Sequence, residues 1–363
     1  AQRYEGLAQA RRLLYGYMQR VDPKRNAGDV YRTHDCRHVR IERSVKVNIN
    51  GQTNVSHYGG LATCGSVWAC PVCAAVIQQR RRSELSQLIS WAYANGYSPC
   101  MVTFTFPHTS FDTLARLREC MRDAFHRLRR GGPWDRLRDY SGYDGLVRST
   151  EVTYGTNGWH PHTHEIWLVR PMSEFDQAEF VDRLKVLWKR ACIASGLLDA
   201  DDLVKGWHFG LHAVDVRFSV KDSDYLAKQD SSRAWGADHE LASSSSKAGR
   251  ASGVHPHEFL IRRAKGDGAR YLEYIHAMKG ASQIYWSPGL KKRVGVADVQ
   301  DVDIAEEDPT DPNRTWLLGQ LNATQWDLVR KHRARAELLD VAESCDWSKV
   351  ELFLCSLGWD PYS

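Results

Sequence analysis

The stretch His160-Pro161-His162-Thr163-His164-Glu165-Ile166-Trp167-Leu168-Val169 decides the fold of this 363-residue chain. Its apolar end predicts a buried strand. Residues two apart in a strand point to the same face, so His162 and His164 present their imidazoles to one side of a sheet, and His160 shares their parity. Three alternating histidines that lead into an apolar run indicate a metal site rather than a histidine-rich exposed strand without metal.

The residues just before this strand predict a β-hairpin. The pair Asn157-Gly158 is typical of a tight hairpin turn. If Tyr154 pairs with Trp159, Glu151 lies directly opposite His162. Cross-strand partners have Cβ atoms about 5 Å apart, so a carboxylate and two imidazoles converge. Neutral imidazoles with one carboxylate suit a divalent ion such as Mn²⁺ or Mg²⁺, acting as a Lewis acid on a phosphate.

Apolar periodicity on both sides of the hairpin predicts an α+β core. The pattern gives strands at 101–106, 145–154, 159–169 and 210–220, and helices at 111–128 and 175–195. This order of strand, helix, hairpin, helix and strand suits an antiparallel sheet with helices packed on one face. We therefore expect the predicted metal site to lie on a sheet of this kind.

A second motif is the segment Asp222-Ser223-Asp224-Tyr225-Leu226-Ala227-Lys228. Serine and aspartate favour a helix start, and Tyr225 and Lys228, three residues apart, then share a helix face. A phenol at Tyr225 can attack a phosphodiester while Lys228 offsets negative charge. The same pattern also fits an ordinary surface helix, and its weight comes from the metal motif upstream.

Four cysteines precede the predicted core: Cys36, Cys64, Cys70 and Cys73. Four thiolates in this arrangement, the last two in a C-x-x-C motif, suit a closed structural Zn²⁺ site. Three histidines compete for the fourth place: His34, His38 and His57. The alternative is a set of buried thiols without metal.

The charge of the chain favours a polyanionic partner. The whole chain has a formal net charge of +5, but residues 1–300 hold 43 basic and 31 acidic residues, a net of +12. Three basic runs suit a DNA backbone or an ordinary solvated face: Arg80-Arg81-Arg82, Arg129-Arg130 and Lys291-Lys292-Arg293. No apolar run reaches the roughly 20 residues of a membrane span, and we expect a cytoplasmic protein without membrane partners.

Composition changes along the chain predict four segments. They are a helical and cysteine-rich zinc module at 1–97, the α+β core at 98–228, a loop and basic accessory region at 229–300, and an acidic boundary with a helical module at 301–363. The last segment shows helical periodicity over 315–357, which predicts a small helical bundle.

The combination of motifs resembles the rolling-circle replication initiators of the HUH endonuclease superfamily, particularly the Rep class of small plasmids. Three segments carry this resemblance, namely 104–106, 160–169 and 225–228, and their order and spacing both fit. The likeness extends through 235–241 and 286–290. The resemblance implies an HUH endonuclease-like core for this chain.

The resemblance also implies roles for individual residues. His162 and His164 would be metal ligands, Glu151 the third ligand and Tyr225 the nucleophile. In part of this class an acidic residue four positions before the tyrosine activates water to release the enzyme.

This chain departs from that pattern, because Lys221 occupies the position four residues before Tyr225. Asp222 or Asp224 can substitute for that acidic residue, and Asp222 is the better placed, since it lies three positions before Tyr225 and shares its helix face.

The expected function is sequence-specific nicking and joining of single-stranded or hairpin origin DNA through a 5′-phosphotyrosyl intermediate, with a host helicase and polymerase as further partners. Within the same chemistry the alternatives are a mobilisation relaxase and a single-strand transposase. A metallo-phosphodiesterase without covalent intermediate and a non-catalytic zinc-containing DNA-binding regulator are the alternatives from other classes.

Overall fold

The computed structural model describes residues 2–51, 54–220, 253–306 and 315–361. The chain divides into two compact units, each assembled from several stretches. Unit 1 comprises 1–80, 259–272 and 299–363, and unit 2 comprises 81–258 and 273–298. The division of the sequence into four modules, at 1–97, 98–228, 229–300 and 301–363, remains a prediction. None of the helices in the described ranges has the length and apolar character to cross a membrane.

The strands of the described residues are β1 (Val45–Asn50), β2 (Ser56–Gly59), β3 (Cys100–Phe104), β4 (Leu146–Gly155), β5 (Gly158–Trp167), β6 (Val214–Arg217), β7 (Ile284–Trp286) and β8 (Thr315–Leu321). The α-helices are α1 (Gln2–Val21), α2 (Ala27–Val30), α3 (Pro71–Ala94), α4 (Leu114–Leu128), α5 (Gly132–Ser141), α6 (Glu174–Ala194), α7 (Leu203–His212), α8 (Phe259–Arg262), α9 (Asp267–Ala277), α10 (Leu290–Val294), α11 (Asp301–Glu306), α12 (Ala323–Lys331), α13 (Arg335–Ala342) and α14 (Trp347–Ser356). Two short 3₁₀ helices lie at Arg32–His34 and Pro256–Glu258.

Unit 1 contains a three-stranded antiparallel sheet with the order β2-β1-β8. Alternate side chains of β1 are fully buried and pack in one apolar cluster with residues of α12, α13 and α14. The prediction of an all-helical module at the C-terminal end is therefore wrong for its first seven residues. They form β8, which completes a sheet begun by β1 some 270 residues earlier in the chain, and such a distant pairing leaves no local signal.

Unit 2 is built on a five-stranded antiparallel sheet with the order β6-β3-β5-β4-β7. The histidine-bearing strand β5 is central. The predicted hairpin register is confirmed, because Tyr154 pairs with Trp159 and Glu151 pairs with His162. The predicted strand at 210–220 is shorter than expected, since α7 takes its first three residues and β6 covers only Val214–Arg217.

One face of this sheet is covered by α4, α5 and α6 through aromatic packing. The ring of Phe104 lies 5.4 Å from that of Phe125 and 4.9 Å from that of Trp188, centroid to centroid. Such contacts bury large apolar areas and fix the relative positions of strand and helices. This face provides the main core of unit 2.

The opposite face, which carries the histidines, is covered by helices at its apolar end. There the apolar residues Met101, Val147 and Ile166 pack against residues 85–92 of α3 and against α10. The prediction of helices on one face is therefore wrong, since helices lie on both. Burial removes the apolar end of the histidine face from water, whereas its polar end carries Glu151 and the histidines.

Candidate functional site

Three side chains converge at the polar end of this sheet face. The Oε2 atom of Glu151 lies 3.3 Å from Nε2 of His162 and 3.5 Å from Nε2 of His164. The ligand atoms of the three residues all lie within 4.8 Å of one another. Each side chain is partly exposed, so a substrate can approach. The residues that the sequence predicted as ligands are thus brought together.

The backbone of the hairpin produces this convergence. His162 and His164 are two apart on β5 and share a face, and Glu151 on β4 is the direct cross-strand partner of His162. Gly158 has a φ of +83° in the turn, and a Cβ atom added there would lie 2.9 Å from the Cα of Ser110. Glycine therefore permits both the turn conformation and the close approach of the neighbouring loop.

The electrostatics of the cluster keep Glu151 ionised. Burial by itself raises the pKa of this carboxyl, but hydrogen bonds and charge interactions with His162 and His164 outweigh burial and hold its pKa well below the ordinary value. A carboxylate that is ionised at neutral pH is the form that binds a cation.

Partners of the ring nitrogens orient the two imidazoles. Nδ1 of His164 lies 3.0 Å from the hydroxyl oxygen of Thr103 on β3, and Nδ1 of His162 lies 3.3 Å from the carbonyl oxygen of His160. A bound cation would take the place of the Nε2 protons that hydrogen-bond to Glu151; each Nδ1–H would then donate to these oxygens, and each Nε2 would present its lone pair on the side of the carboxylate. This is the arrangement that metal-binding histidines need.

The third histidine of the motif has a different partner. Nδ1 of His160 lies 2.8 Å from Nε2 of His108, whose Nδ1 lies 3.0 Å from the carbonyl oxygen of Asn157. Burial, followed by the charges of His162 and His108, lowers the pKa of His160 to about 3, so its ring is neutral at pH 7. His160 is therefore a neighbour of the three-residue cluster rather than one of its members.

Sequence reasoning missed His108 and His255 as neighbours of the site. Val254 forms an isolated bridge with Tyr154, which brings His255 to the hairpin, and burial lowers the pKa of His255 to about 4, with Glu151 opposing. A signal was available for His255, because His255-Pro256-His257 repeats the His-Pro-His pattern of the metal motif. Nothing local marked His108.

The spacing of the cluster can be tested against that of a bound cation. Two ligand atoms that each lie about 2.1 Å from one ion are about 3.0 Å apart at a right angle and about 3.4 Å apart at a tetrahedral angle. The observed separations of 3.3 and 3.5 Å lie within about 0.1 Å of the tetrahedral value. One carboxylate and two imidazoles at this spacing fit a divalent cation.

The four predicted cysteines also form one cluster, in unit 1. Their sulfur atoms lie 3.5 Å apart for Cys36 and Cys73, 3.7 Å for Cys64 and Cys73, and 3.7 Å for Cys70 and Cys36. All four are buried. Hydrogen bonds from the other three thiols hold the pKa of Cys73 well below its ordinary value.

The separation of sulfurs in a tetrahedral site with Zn–S bonds of about 2.3 Å is about 3.8 Å, close to these distances. The donor set therefore fits zinc. Of the histidines that competed for the fourth place, His34 pairs instead with Asp35 at 2.7 Å, and His38 contacts Arg11 at 2.6 Å.

The nucleophile motif lies outside the described residues. Asp222, Tyr225 and Lys228, together with Lys221 and Asp224, belong to the interval between 220 and 253. The roles proposed for them rest on sequence alone.

Two of the three basic runs include an arginine that pairs with a buried carboxylate, Arg81 being buried and Arg129 half-buried. Arg81 pairs with Glu84 at 2.9 Å, and Arg129 pairs with the fully buried Glu165. A charge run in the sequence cannot show that one of its members is committed to an internal ion pair.

Comparison with known proteins relates these features to replication. Residues 61–194, which include the hairpin and three of the four clustered cysteines, match the family model described as "Replication protein". Protein rep of Streptomyces lividans is 27% identical over 352 residues, covering 79% of this chain and 76% of the relative. The Neomycin resistance protein of Streptomyces cyanogenus is 34% identical over 141 residues, 32% of each chain. No solved structure matches the chain significantly. This chain is thus similar to replication proteins, and the similarity supports a role in replication.

Proposed function

We propose that this protein starts plasmid replication by nicking and rejoining single-stranded origin DNA, with a divalent cation and Tyr225 as the reacting groups. The observation that carries the proposal is the convergence of the half-buried Glu151, His162 and His164 on one sheet face. Similarity to replication proteins supports the biological role. The central place of β5 in the sheet supports the resemblance to HUH endonucleases.

Glu151, His162 and His164 would hold the cation, Mn²⁺ or Mg²⁺. A cation bound there supplies Lewis-acid chemistry to an oxygen of the scissile phosphate. Thr103 and the carbonyl of His160 orient the two imidazoles through their Nδ1 atoms. The rings of His160 and His108 contact each other beside these three residues.

The proposed covalent step is a transesterification. The phenolic oxygen of Tyr225 forms a bond to phosphorus and gives up its proton to solvent or a side chain, while the bond from phosphorus to the 3′ oxygen breaks and that oxygen takes up a proton from solvent or a side chain. The products are a 5′-phosphotyrosyl link and a 3′-hydroxyl for a polymerase. Lys228 offsets the charge at the phosphate, and Asp222 assists release. Joining reverses the step, so no nucleotide cofactor is required.

The cysteine cluster would hold a structural zinc ion. Cys36, Cys64, Cys70 and Cys73 offer four sulfurs at a spacing that fits tetrahedral coordination, and their burial suits a closed site without an open position. We assign it the role of stabilising unit 1.

Cleavage of single-stranded DNA tests the proposal. The substrates are labelled oligonucleotides tiled across the DNA that flanks the coding sequence, incubated with Mn²⁺ or with chelator. We expect the wild type to cleave one oligonucleotide in the presence of Mn²⁺ and not in the presence of chelator. Neither Tyr225→Phe nor the double variant His162→Ala/His164→Ala should cleave it. Tyr285→Phe, at an exposed tyrosine of β7, is the matched control and should cleave. Full activity of Tyr225→Phe would instead indicate a metallo-phosphodiesterase, and activity in chelator would contradict the metal site.

A further inference from the structure

A cavity of about 260 Å³ in unit 1 is lined mostly by cationic side chains. Five arginines take part, two from α1 and three from α12 and the residues that follow it: Arg11, Arg12, Arg330, Arg333 and Arg335. Among the residues that the structure describes, the lining includes no carboxylate. We call this cavity the arginine pocket.

Among the residues that the structure describes, carboxylates compensate only part of the positive charge of the arginine pocket. Asp35 pairs with His34 and Asp327 pairs with Arg330, both from outside the lining. Burial is the main cause that lowers the pKa of Arg11 to about 10. The positive charges of Arg335 and Arg330 act in the same direction, and the carboxylate of Asp35 opposes them. Like charges gathered around one cavity repel each other, and an anion inside the cavity would relieve that repulsion.

The arginines are held in place by backbone and side-chain acceptors. Arg11 donates through Nε to the carbonyl oxygen of His34 and lies 2.6 Å through Nη1 from Nδ1 of His38. Arg335 donates to the carbonyl oxygen of Arg37 at 3.0 Å. The loop that provides these acceptors contains Cys36 of the cysteine cluster. The pocket is therefore organised before any ligand arrives, which reduces the entropic cost of binding.

Arg333 occupies a backbone conformation that disfavours an ordinary side chain. Its φ is +57°, in the left-handed region, and it follows His332, the C-terminal cap of α12. Glycine is the usual residue at such a position, and a residue with a Cβ atom costs about 1 kcal/mol there. The side chain of Arg333 is exposed at the pocket. The backbone thus presents the guanidinium of Arg333 at the pocket from a conformation that costs free energy.

An aromatic ring lies beside these cations. Tyr15 lines the pocket, is 55% exposed, and stacks on His34 with ring centroids 6.5 Å apart and an interplanar angle of 27°. Cations that bind the backbone and an exposed aromatic ring that stacks a base are the two elements of single-strand recognition.

We propose that the arginine pocket binds a phosphate of single-stranded DNA and that Tyr15 stacks an adjacent base. The identity of the nucleic acid as DNA rests on the proposed function. The site is separate from the metal cluster, since all its residues belong to unit 1 and the cluster belongs to unit 2. It would retain the strand independently of the cleavage chemistry.

The test is binding of a fluorescein-labelled single strand of mixed sequence, followed by anisotropy over a range of salt concentrations without added divalent cation. The full chain carrying Arg12→Ala/Arg333→Ala is compared with Arg20→Ala/Arg25→Ala, which removes the same charge from exposed positions of unit 1 outside the pocket. We expect the pocket variant to lose affinity at least about tenfold and its salt slope to fall by about 0.7 for one lost phosphate contact. The control should change little.

An unchanged slope in the pocket variant, or equal losses in both variants, would overturn the proposal. Tyr15→Ala should weaken binding while Tyr15→Phe should not, and equal affinity of both with the wild type would remove the stacking role. Cleavage is measured separately, so that a chain that binds through the pocket but never cleaves counts against the proposed function alone. Circular dichroism of each variant establishes that it is folded.

Discussion

The hydroxyl of Thr103 provides a sharp probe of the candidate metal centre. Thr103 lies on β3, beside the ligand strand, and its Oγ1 is 3.0 Å from Nδ1 of His164. Thr103→Val keeps the shape of the side chain and removes this acceptor. The His164 ring then loses a group that fixes its orientation and the position of its proton, while Glu151 and His162 are unchanged.

The size of the effect follows from this contact. Removing an orienting partner of a metal-binding histidine typically costs 10-fold to 100-fold in metal affinity. The contact here is a single hydrogen bond of ordinary length between neutral groups, which contributes about 1 kcal/mol. We therefore expect the lower end of the range, about a tenfold weaker affinity for Mn²⁺, which corresponds to about 1.4 kcal/mol.

Calorimetric titration of the metal-free protein with Mn²⁺ measures this affinity. Thr105→Val is the matched control, because Thr105 follows β3 directly and its hydroxyl donates to the carbonyl oxygen of His212 at 3.2 Å. Thermal unfolding without metal should be similar for both variants. Wild-type affinity in Thr103→Val, or equal weakening in both variants, would refute the role of the Thr103 hydroxyl in orienting His164.

Three other substitutions test the surrounding structure. Glu165→Gln should lower the free energy of unfolding in urea by about 3–5 kcal/mol, because it leaves two guanidinium groups facing a neutral side chain. Burial raises the pKa of Glu165, but the two arginine charges outweigh it and depress this pKa, so the difference in unfolding free energy should be present above about pH 4.3 and shrink as the pH falls through the lower folded pKa. A difference that does not change with pH would argue against the ion pairs. Cys73→Ser should abolish stoichiometric zinc in elemental analysis, whereas Cys355→Ser, at an exposed cysteine, should retain it; equal zinc contents would exclude a zinc site at the cluster. Gly158→Ala should lower the melting temperature and weaken Mn²⁺ binding together, since the added Cβ meets the Ser110 backbone, and an unaffected protein would show that the turn tolerates the change.

The hairpin could be predicted because local chemistry fixes its register. An Asn157-Gly158 turn sets which residues pair, and the period-two alternation sets which side chains share a face. These two facts together predict that Glu151, His162 and His164 lie close to one another. The cysteine cluster was accessible for a similar reason, since a C-x-x-C motif with two nearby cysteines restricts the ligand set.

The remaining features depend on contacts between distant parts of the chain. His108 reaches His160 across 52 positions, and β8 pairs with β1 across about 270, so neither has a local signature. The ion pair between Arg129 and Glu165 likewise depends on the tertiary fold, and the run of basic residues that contains Arg129 gives no sign of it. Sequence pattern gives faces and periods, whereas long-range pairing is decided by the packing of the whole unit.

Covalent capture of DNA by one side chain is the central step of the proposed reaction, and intact-mass spectrometry measures it directly. The protein is denatured after incubation with Mn²⁺ and the cleaved oligonucleotide, and the adduct is mapped by digestion. We predict a mass increase equal to the 5′-phosphorylated fragment, located on Tyr225, and absent in chelator. Cleaved DNA without any adduct, or an adduct on a different residue, would contradict the account.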